Sequence, residues 1–179
     1  MIKQKIKGFT LIEVLVILSI ITIMTISVFS NYGKNNEVFA LERSSQKIAQ
    51  DIRRAQEMAT SGLESASSIL GYGVYFSTSN PTSYLIYEEV NDASPIMSYE
   101  TGDITKETIN LENGVEILSL VDSVSVSNIS ISFEPPNPLT YIDGDFSDKT
   151  AIITLCVASD HTKTRTITIN SAGMVQVTK

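Results

Sequence analysis

Lys7-Gly8-Phe9-Thr10-Leu11-Ile12-Glu13-Val14-Leu15 opens an apolar run that continues to Phe29 and decides how the chain is organised. From Phe9 to Phe29 the run holds one charged residue, Glu13, and neither glycine nor proline. An α-helix of this length extends roughly 30 Å, which is enough to cross the hydrocarbon core of a bilayer. The stretch therefore predicts a transmembrane helix over residues 9–30.

Basic residues are distributed unevenly around this run. Lys3, Lys5 and Lys7 precede it, and the next basic residue is Lys34. Because Lys and Arg are in excess on the cytoplasmic side of membrane proteins, the N-terminus is predicted to stay in the cytoplasm. We expect a single-pass protein of the inner membrane, with the rest of the chain exported to the periplasm or beyond.

Gly8 marks the predicted end of a leader. A secretory signal peptide carries its small-residue cleavage site after the apolar core, whereas Gly8 stands before the run. Cleavage after Gly8 would remove the basic leader, residues 1–8, and leave the anchor in place.

Glu13 is unusual inside an apolar helix. An acidic side chain within a membrane helix costs about 2.5–3.5 kcal/mol unless it finds a partner. Glu13 lies four residues after Phe9, so the two residues share a helix face. An amine created at Phe9 by cleavage could neutralise Glu13, either within the chain or from a neighbouring subunit. The alternative is a glutamate that snorkels to the nearby interface.

The nine residues from Gly8 to Val16, Gly-Phe-Thr-Leu-Ile-Glu-Val-Leu-Val, resemble the signature of type IV prepilins. In that family a prepilin peptidase cuts after the glycine and methylates the amine of the exposed phenylalanine. The glutamate then pairs with the amine of an adjacent subunit as the helical fibre assembles. The resemblance implies cleavage of the Gly8–Phe9 bond, N-methylation of Phe9 and a role for Glu13 in assembly.

Residues 31–61 are predicted to continue the helix as an amphipathic, exported half that stops at Gly62. Apolar or small residues recur here at alternating steps of three and four. This stripe consists of Val38, Leu41, Ser45, Ile48, Ile52, Ala55 and Ala59. Most charged residues lie off it, including Asp51, Arg53 and Arg54, and the arginine pair is assigned to a solvated face. One side of the helix is therefore predicted to pack, as a stem laid against a sheet requires.

Residues 62–179 are predicted to form an all-β head, because short runs rich in β-branched and aromatic residues alternate with turn residues. These runs lie at 72–77, 84–90, 115–121, 124–133, 151–159, 164–170 and 174–177. The run 124–133 alternates with a period close to two, which predicts one strand with a buried face and a wet face. Turns at 159–162 and 171–173 predict antiparallel neighbours, and the prolines of 135–138 predict a loop.

The predicted fold class is α+β, with a long N-terminal helix packed on an antiparallel β head. The order and spacing of these segments, including Gly71-Tyr-Gly-Val-Tyr-Phe, resemble the GspH/FimT group of minor pilins and pseudopilins. That resemblance implies a head with two β-sheets. Members usually carry basic residues around the final glycine turn, whereas residues 172–176 of this chain contain none.

The chain is strongly acidic. Its 179 residues carry a net charge of −7, and removing the three lysines of the leader would leave −10. Beyond residue 60, 5 basic and 15 acidic residues give the head a balance of −10. Because such a charge opposes binding to a phosphate backbone, nucleic acid is not expected as a partner.

Few residues of the head could support catalysis or metal binding. Cys156 is the one cysteine, so no intrachain disulfide can form, and its apolar neighbours predict a buried packing role. His161 is the one histidine and is interpreted as an ordinary polar residue of a turn. Asp143, Asp145 and Asp148 could offer oxygen ligands to calcium, but an acidic solvated loop is favoured because the closing glutamate of an EF-hand is missing. We expect no enzyme activity, no cofactor and no metal.

The predicted function is that of a non-enzymatic structural subunit, a minor pilin or pseudopilin, in a type IV pilus or a type II secretion-like filament. The resemblance implies three kinds of partner: a prepilin peptidase, other pilin or pseudopilin subunits, and the assembly platform of the inner membrane. A major pilin and a DNA-uptake (competence) pilin remain alternatives. A membrane-anchored enzyme is a third, which the sequence disfavours because it lacks a catalytic constellation.

Overall fold

A computed structural model describes residues 8–61, 69–90, 97–135 and 139–179, without the side chains of residues 28–35. The predicted leader up to Lys7, the helix stop at Gly62 and the proline loop at 136–138 lie outside the described residues. The chain separates into two compact units, Met1–Asn36 and Glu37–Lys179, which we call the N-terminal unit and the C-terminal unit.

One helix, α1 (Leu11–Thr60), runs from the N-terminal unit into the C-terminal unit. Its 50 residues include no proline and a single glycine, so few positions oppose helix formation. The long N-terminal helix predicted from the apolar run and the following stripe is confirmed. Over the part of the chain that the structure describes, no helix is long and apolar enough to cross a membrane.

The described residues of the C-terminal unit contain ten strands. They are β1 (Gly71–Ser77), β2 (Ser83–Glu89), β3 (Ile104–Asn110), β4 (Val115–Asp122), β5 (Val124–Val126), β6 (Asn128–Glu134), β7 (Leu139–Ile142), β8 (Thr150–Val157), β9 (Asp160–Asn170) and β10 (Val175–Thr178). Sheet A has the order β3-β2-β1-β6-β7, and sheet B has the order β10-β9-β8-β4-β5. The paired strands are antiparallel, so the α+β class with an antiparallel head is confirmed.

Part of α1 that lies in the C-terminal unit buries the predicted stripe. Leu41, Ser45, Ile48, Ile52, Ala55 and Ala59 are buried, and Val38 is half-buried. The buried apolar members of the stripe join one core cluster with residues of both sheets, such as Val74 of β1 and Ile153 of β8. The helix is therefore packed along one side, as its period predicts.

Asp51 departs from this pattern. The sequence places it off the stripe, among the solvated charges, yet its exposure is 8 %. Its Oδ2 atom accepts a hydrogen bond of 2.5 Å from the hydroxyl of Tyr84 on β2, which satisfies the buried carboxylate. Arg53 and Arg54 are exposed, as predicted, and Arg54 forms an ion pair of 2.8 Å with Glu107 of β3.

The single strand predicted over 124–133 is wrong. The chain leaves sheet B after β5, which pairs with β4, and enters sheet A as β6, which pairs with β1. Ser127 lies between the two strands, and its carbonyl accepts a hydrogen bond of 2.8 Å from the backbone N–H of Thr78. The apolar positions change phase at this crossing, because Val126 is followed by Ile129 and not by an apolar residue at position 128. This break in the period of two indicated two strands, and the prediction of one strand overlooked it.

The wet face predicted for this run is also wrong, because residues 129–133 of β6 are all buried. Ser132 donates a hydrogen bond of 2.8 Å to the carbonyl of Met97, and the backbone N–H of Ser130 donates one of 2.7 Å to Asp143. Loop residues cover this face of β6 and satisfy its serines. Polar residues on a strand therefore did not indicate solvent here.

Two edge strands of sheet A, β3 and β7, were not predicted. Only one residue of β3, Ile109, is buried, and the strand consists largely of Thr, Lys and Glu. Strand β7 has four residues and follows the proline loop. Edge strands bury little side-chain surface, so their sequences carry a weak hydrophobic pattern.

Candidate processing and assembly site

The start of α1 is closed by reciprocal hydrogen bonds between Thr10 and Glu13. The hydroxyl of Thr10 accepts a hydrogen bond of 3.3 Å from the backbone N–H of Glu13. The carboxylate of Glu13 accepts one of 3.5 Å from the backbone N–H of Thr10. This arrangement is a capping box, with Thr10 at the N-cap and Glu13 as the third helical residue. It satisfies two N–H groups that a helix start would otherwise leave open.

The capping box places a carboxylate at the positive end of the helix dipole, where negative charge is stabilised. Glu13 thus interacts with the start of its own helix. This role was not predicted from the sequence, although Thr10-Leu-Ile-Glu13 has the spacing of a capping box and could have indicated it.

Gly8 and Phe9 lie just ahead of the cap and are exposed. A Cβ atom built on Gly8 would have no described atom within 4 Å, apart from its chain neighbours. The structure therefore brings Gly8, Phe9 and Glu13 to one helix end, with the Gly8–Phe9 bond in non-helical backbone.

Apolar side chains of the N-terminal unit are exposed along the described length of its helix. Leu11 is 83 % exposed and Ile23 is 69 % exposed. Polar side chains here bond back to the helix: Thr22 donates to the carbonyl of Leu18 and Thr25 to that of Ile21, both at 2.8 Å. The outer surface of this helix is therefore almost entirely apolar in character.

The comparison with protein-family models matches residues 3–29 to the prokaryotic N-terminal methylation motif. This chain carries the N-terminal motif of type IV pilins and pseudopilins. The match includes Gly8, Phe9 and Glu13, and it supports the predicted pilin and pseudopilin family, whose members are typically structural. Comparisons with curated proteins and with solved structures gave no match. The assignment to the GspH/FimT group remains a prediction.

Cys156 and His161 were predicted to have unrelated roles, but they lie together in the structure, on either side of Glu116. His161 forms an ion pair of 2.8 Å with Glu116 if its ring is protonated, and the Cys156 thiol donates a hydrogen bond of 3.8 Å to the same oxygen. Burial, followed by the nearby Glu116 carboxylate, raises the pKa of the Cys156 thiol to about 11. Cys156 is fully buried, as predicted, but its partners are polar.

The acidic loop at 143–148 does not gather its aspartates into one site. Asp143 accepts hydrogen bonds from Ser130, and burial raises the pKa of its carboxyl group. Asp145 accepts a hydrogen bond of 2.9 Å from the backbone N–H of Ser147, which lowers its pKa. Asp148 accepts a long hydrogen bond, of 3.5 Å, from the hydroxyl of Ser171. The three carboxylates thus accept hydrogen bonds from separate partners, on β6, within the loop and after β9.

Proposed function

We propose that the chain is the precursor of a non-enzymatic subunit of a type IV pilus or a type II secretion-like filament. A prepilin peptidase would cut it at Gly8–Phe9 and methylate Phe9, and assembly would use the N-terminal helix. The observation that carries this proposal is the match of residues 3–29 to the methylation motif.

The geometry of the helix start supports processing at Gly8. Residues 8–10 are exposed and precede the first helical residue, so neither helix nor packing covers the Gly8–Phe9 bond. The Glu13 carboxylate accepts a hydrogen bond from the backbone N–H of Thr10. After the cut, the new amine of Phe9 would lie one residue before that N–H group. The Glu13 carboxylate is therefore close to the place where the new positive charge of its own chain would appear, and in the filament we propose that it pairs with the amine of a neighbouring subunit.

We infer membrane anchoring over residues 9–30 and, later, packing against other subunits from the apolar side chains that are exposed between Phe9 and Ile26. In hydrocarbon each polar group needs an internal partner. The hydroxyls of Ser19, Thr22 and Thr25 already have one in the carbonyls of their own helix. The N-terminus would stay in the cytoplasm and the head would lie in the periplasm or outside the cell.

The charge distribution of the C-terminal unit favours a minor structural subunit over a DNA-uptake pilin. Six basic side chains form ion pairs with carboxylates: Arg43, Arg54, Lys106, Lys149, Lys163 and Arg165. These cations are partly neutralised before any phosphate approaches, on a chain whose net charge is −7. The head would then contact other filament subunits rather than nucleic acid.

Intact-mass measurement of the membrane-extracted chain tests the processing step. In cells with an active prepilin peptidase, we expect a chain that begins at N-methylated Phe9. Gly8→Val should accumulate as the full precursor at an unchanged membrane level, because a branched side chain would obstruct the peptidase while meeting no described atom of the chain itself. Recovery of wild-type chain that still carries residues 1–8 would refute the proposal.

A further inference from the structure

Three side chains with different ligand atoms meet on sheet B. Glu116 lies on β4, Cys156 on β8 and His161 at the start of β9. Glu116 and Cys156 are direct register partners, so their side chains stand on the same face of the sheet. The register between β8 and β9 shifts between Cys156 and Val157, close to His161.

This face is opposite the hydrophobic core. Ala151, Ile153, Leu155 and Val157 belong to the core cluster, whereas Cys156 alternates with them and does not. Cys156 nevertheless has an exposure of 0 %. The thiol is therefore buried on the outer side of the sheet, beside an acidic residue and an imidazole.

The spacing of the three groups suits a small cation. Their ligand atoms all lie within 4.8 Å of one another, and this is the one such group of three found in the described ranges. Zn²⁺ binds nitrogen, oxygen and sulfur at about 2.0–2.3 Å in a tetrahedron, which places its ligand atoms about 3–4 Å apart. Small rotations of the side chains would bring these atoms to that separation.

We propose that Glu116, Cys156 and His161 form a binding site for Zn²⁺. Thiolate and imidazole select borderline-soft cations of this kind over Ca²⁺ and Mg²⁺, and a carboxylate completes the set. The side chain of His161 is 56 % exposed, which gives a cation a route of entry and leaves room for water as a fourth ligand.

Binding of Zn²⁺ at this site releases protons from its ligands. Without a cation, the thiol keeps its proton and donates a hydrogen bond to Glu116. Zn²⁺ takes the place of that proton: the S–H bond breaks, a Zn–S bond forms and one proton leaves to solvent. His161 binds as neutral imidazole through a ring nitrogen, so a ring that is protonated and paired with Glu116 first releases its own proton to solvent. The Glu116 carboxylate then contacts the cation in place of its hydrogen-bond donors.

A bound cation would connect β4, β8 and β9 where the register between two of them shifts. Because Glu116 is 40 residues from Cys156 and reaches it only through the pairing of β4 with β8, the complete site exists only in the folded state. Zn²⁺ would therefore stabilise the fold by mass action, in proportion to its concentration relative to its Kd.

The test uses the full chain, purified in detergent without a polyhistidine tag and titrated with Co²⁺ as a spectroscopic substitute and with Zn²⁺. We expect one Co²⁺ per chain, a near-ultraviolet thiolate-to-cobalt absorption band, and loss of the band when Zn²⁺ displaces Co²⁺. His161→Ala should weaken Zn²⁺ binding at least about tenfold, since even indirect partners of a metal contribute that much. Lys163→Ala, on the same strand and outside the site, should bind as the wild type does.

Cys156→Ser should remove the absorption band. If the serine variant does not fold, His161→Ala still tests the proposal, because His161 is exposed and its replacement should not disturb the fold. Wild-type protein that binds neither cation would overturn the proposal. So would binding without the thiolate band, which would place the cation on oxygen ligands elsewhere, or equal Zn²⁺ affinity in wild type and His161→Ala.

Discussion

The same helix carries apolar residues in both units of the molecule, with opposite exposure. In the N-terminal unit, Leu11 is 83 % exposed and Ile12 is 65 % exposed. In the C-terminal unit, Leu41 and Ile48 of the same helix are completely buried. The difference shows that an apolar helix face must be covered by another apolar surface. Within the C-terminal unit, the two sheets cover it. For the N-terminal unit, we propose that lipid and other subunits cover it.

Hydrogen bonding differs between the two units in the same way. Ser19 and Thr22 donate to carbonyls of their own helix. In the C-terminal unit, Asp51 accepts from Tyr84 of β2, and Glu42 accepts from Arg165 of β9. Polar side chains of the second region therefore connect elements that are distant in sequence. Substitutions in the first region should alter assembly, whereas those in the second should alter folding.

The largest effect is expected at Glu13. Glu13→Ala removes both the cap and the charge, so the mutant should insert and be cleaved normally but enter fibres at least about tenfold less, given about 1.5–3 kcal/mol for a charge-assisted hydrogen bond. Glu13→Gln can still cap Thr10, because glutamine also serves in a capping box, but it cannot form an ion pair. It should assemble less well than wild type and no worse than alanine.

The measurement is the fraction of subunit in sheared fibres, with the membrane level as control. If the Glu13→Ala variant enters fibres as efficiently as wild type, Glu13 is a glutamate that snorkels to the interface and has no role in assembly. A glutamine variant that assembles normally while alanine fails would assign the effect to the cap instead of the charge.

Substitution of one glycine in each unit compares how tightly the two regions are packed. A Cβ atom on Gly73 would lie 2.5 Å from the Cζ atom of Tyr87, its register partner on β2, and Tyr87 is fully buried. Gly73→Ala should therefore lower the free energy of unfolding by about 1–3 kcal/mol, because the ring or the strand must shift. Gly8→Ala meets no described atom within 4 Å and should leave that free energy unchanged within about 0.5 kcal/mol.

Urea unfolding of the full chain in detergent, followed by tyrosine fluorescence, measures both variants, since the chain has no tryptophan. Equal stability of Gly73→Ala and wild type would mean that Tyr87 can move aside without loss. A destabilised Gly8→Ala would contradict the assignment of Gly8 to processing alone.

Much of the fold could be predicted because its signals are local. Leu41, Ile48 and Ile52 recur at a helical period, and the turn at 171–173 joins two clear strands. The prepilin-like signature is local as well, since nine consecutive residues contain Gly8, Phe9 and Glu13. Both kinds of pattern could be recognised without knowledge of the tertiary fold.

The features that were missed depend on which segments meet. Ser130 and Ser132 are buried by loops whose approach to β6 no periodicity encodes. Glu116 and Cys156 are 40 residues apart and become neighbours only through the pairing of β4 with β8. A lone cysteine with apolar neighbours predicts burial, but the face of the sheet on which it lies follows from register alone.

The smallest effect is expected from an ion pair between helix and sheet in the C-terminal unit. Arg165 Nε donates a hydrogen bond of 2.6 Å to Glu42 Oε2, and this bond is the main cause that lowers the pKa of the Glu42 carboxyl group below its usual 4.5. The side chain of Glu42 is 43 % exposed, so solvent screens the pair. Glu42→Gln should therefore cost only about 0.2–1 kcal/mol at neutral pH.

The pH dependence of this cost identifies its origin. Because folding lowers the pKa of Glu42, the pair stabilises the native state above the usual value of 4.5, and this stability disappears as pH falls through the lower, folded-state pKa. The difference in unfolding free energy between wild type and Glu42→Gln should therefore become smaller as the pH falls over that interval. Glu57 is exposed on the same helix and serves as the control. Glu57→Gln should unfold with the same free energy as wild type both at neutral pH and at the lowest pH measured. A cost that stays constant from pH 7 to well below 4.5 would assign the effect of Glu42 to packing of its side chain rather than to its charge.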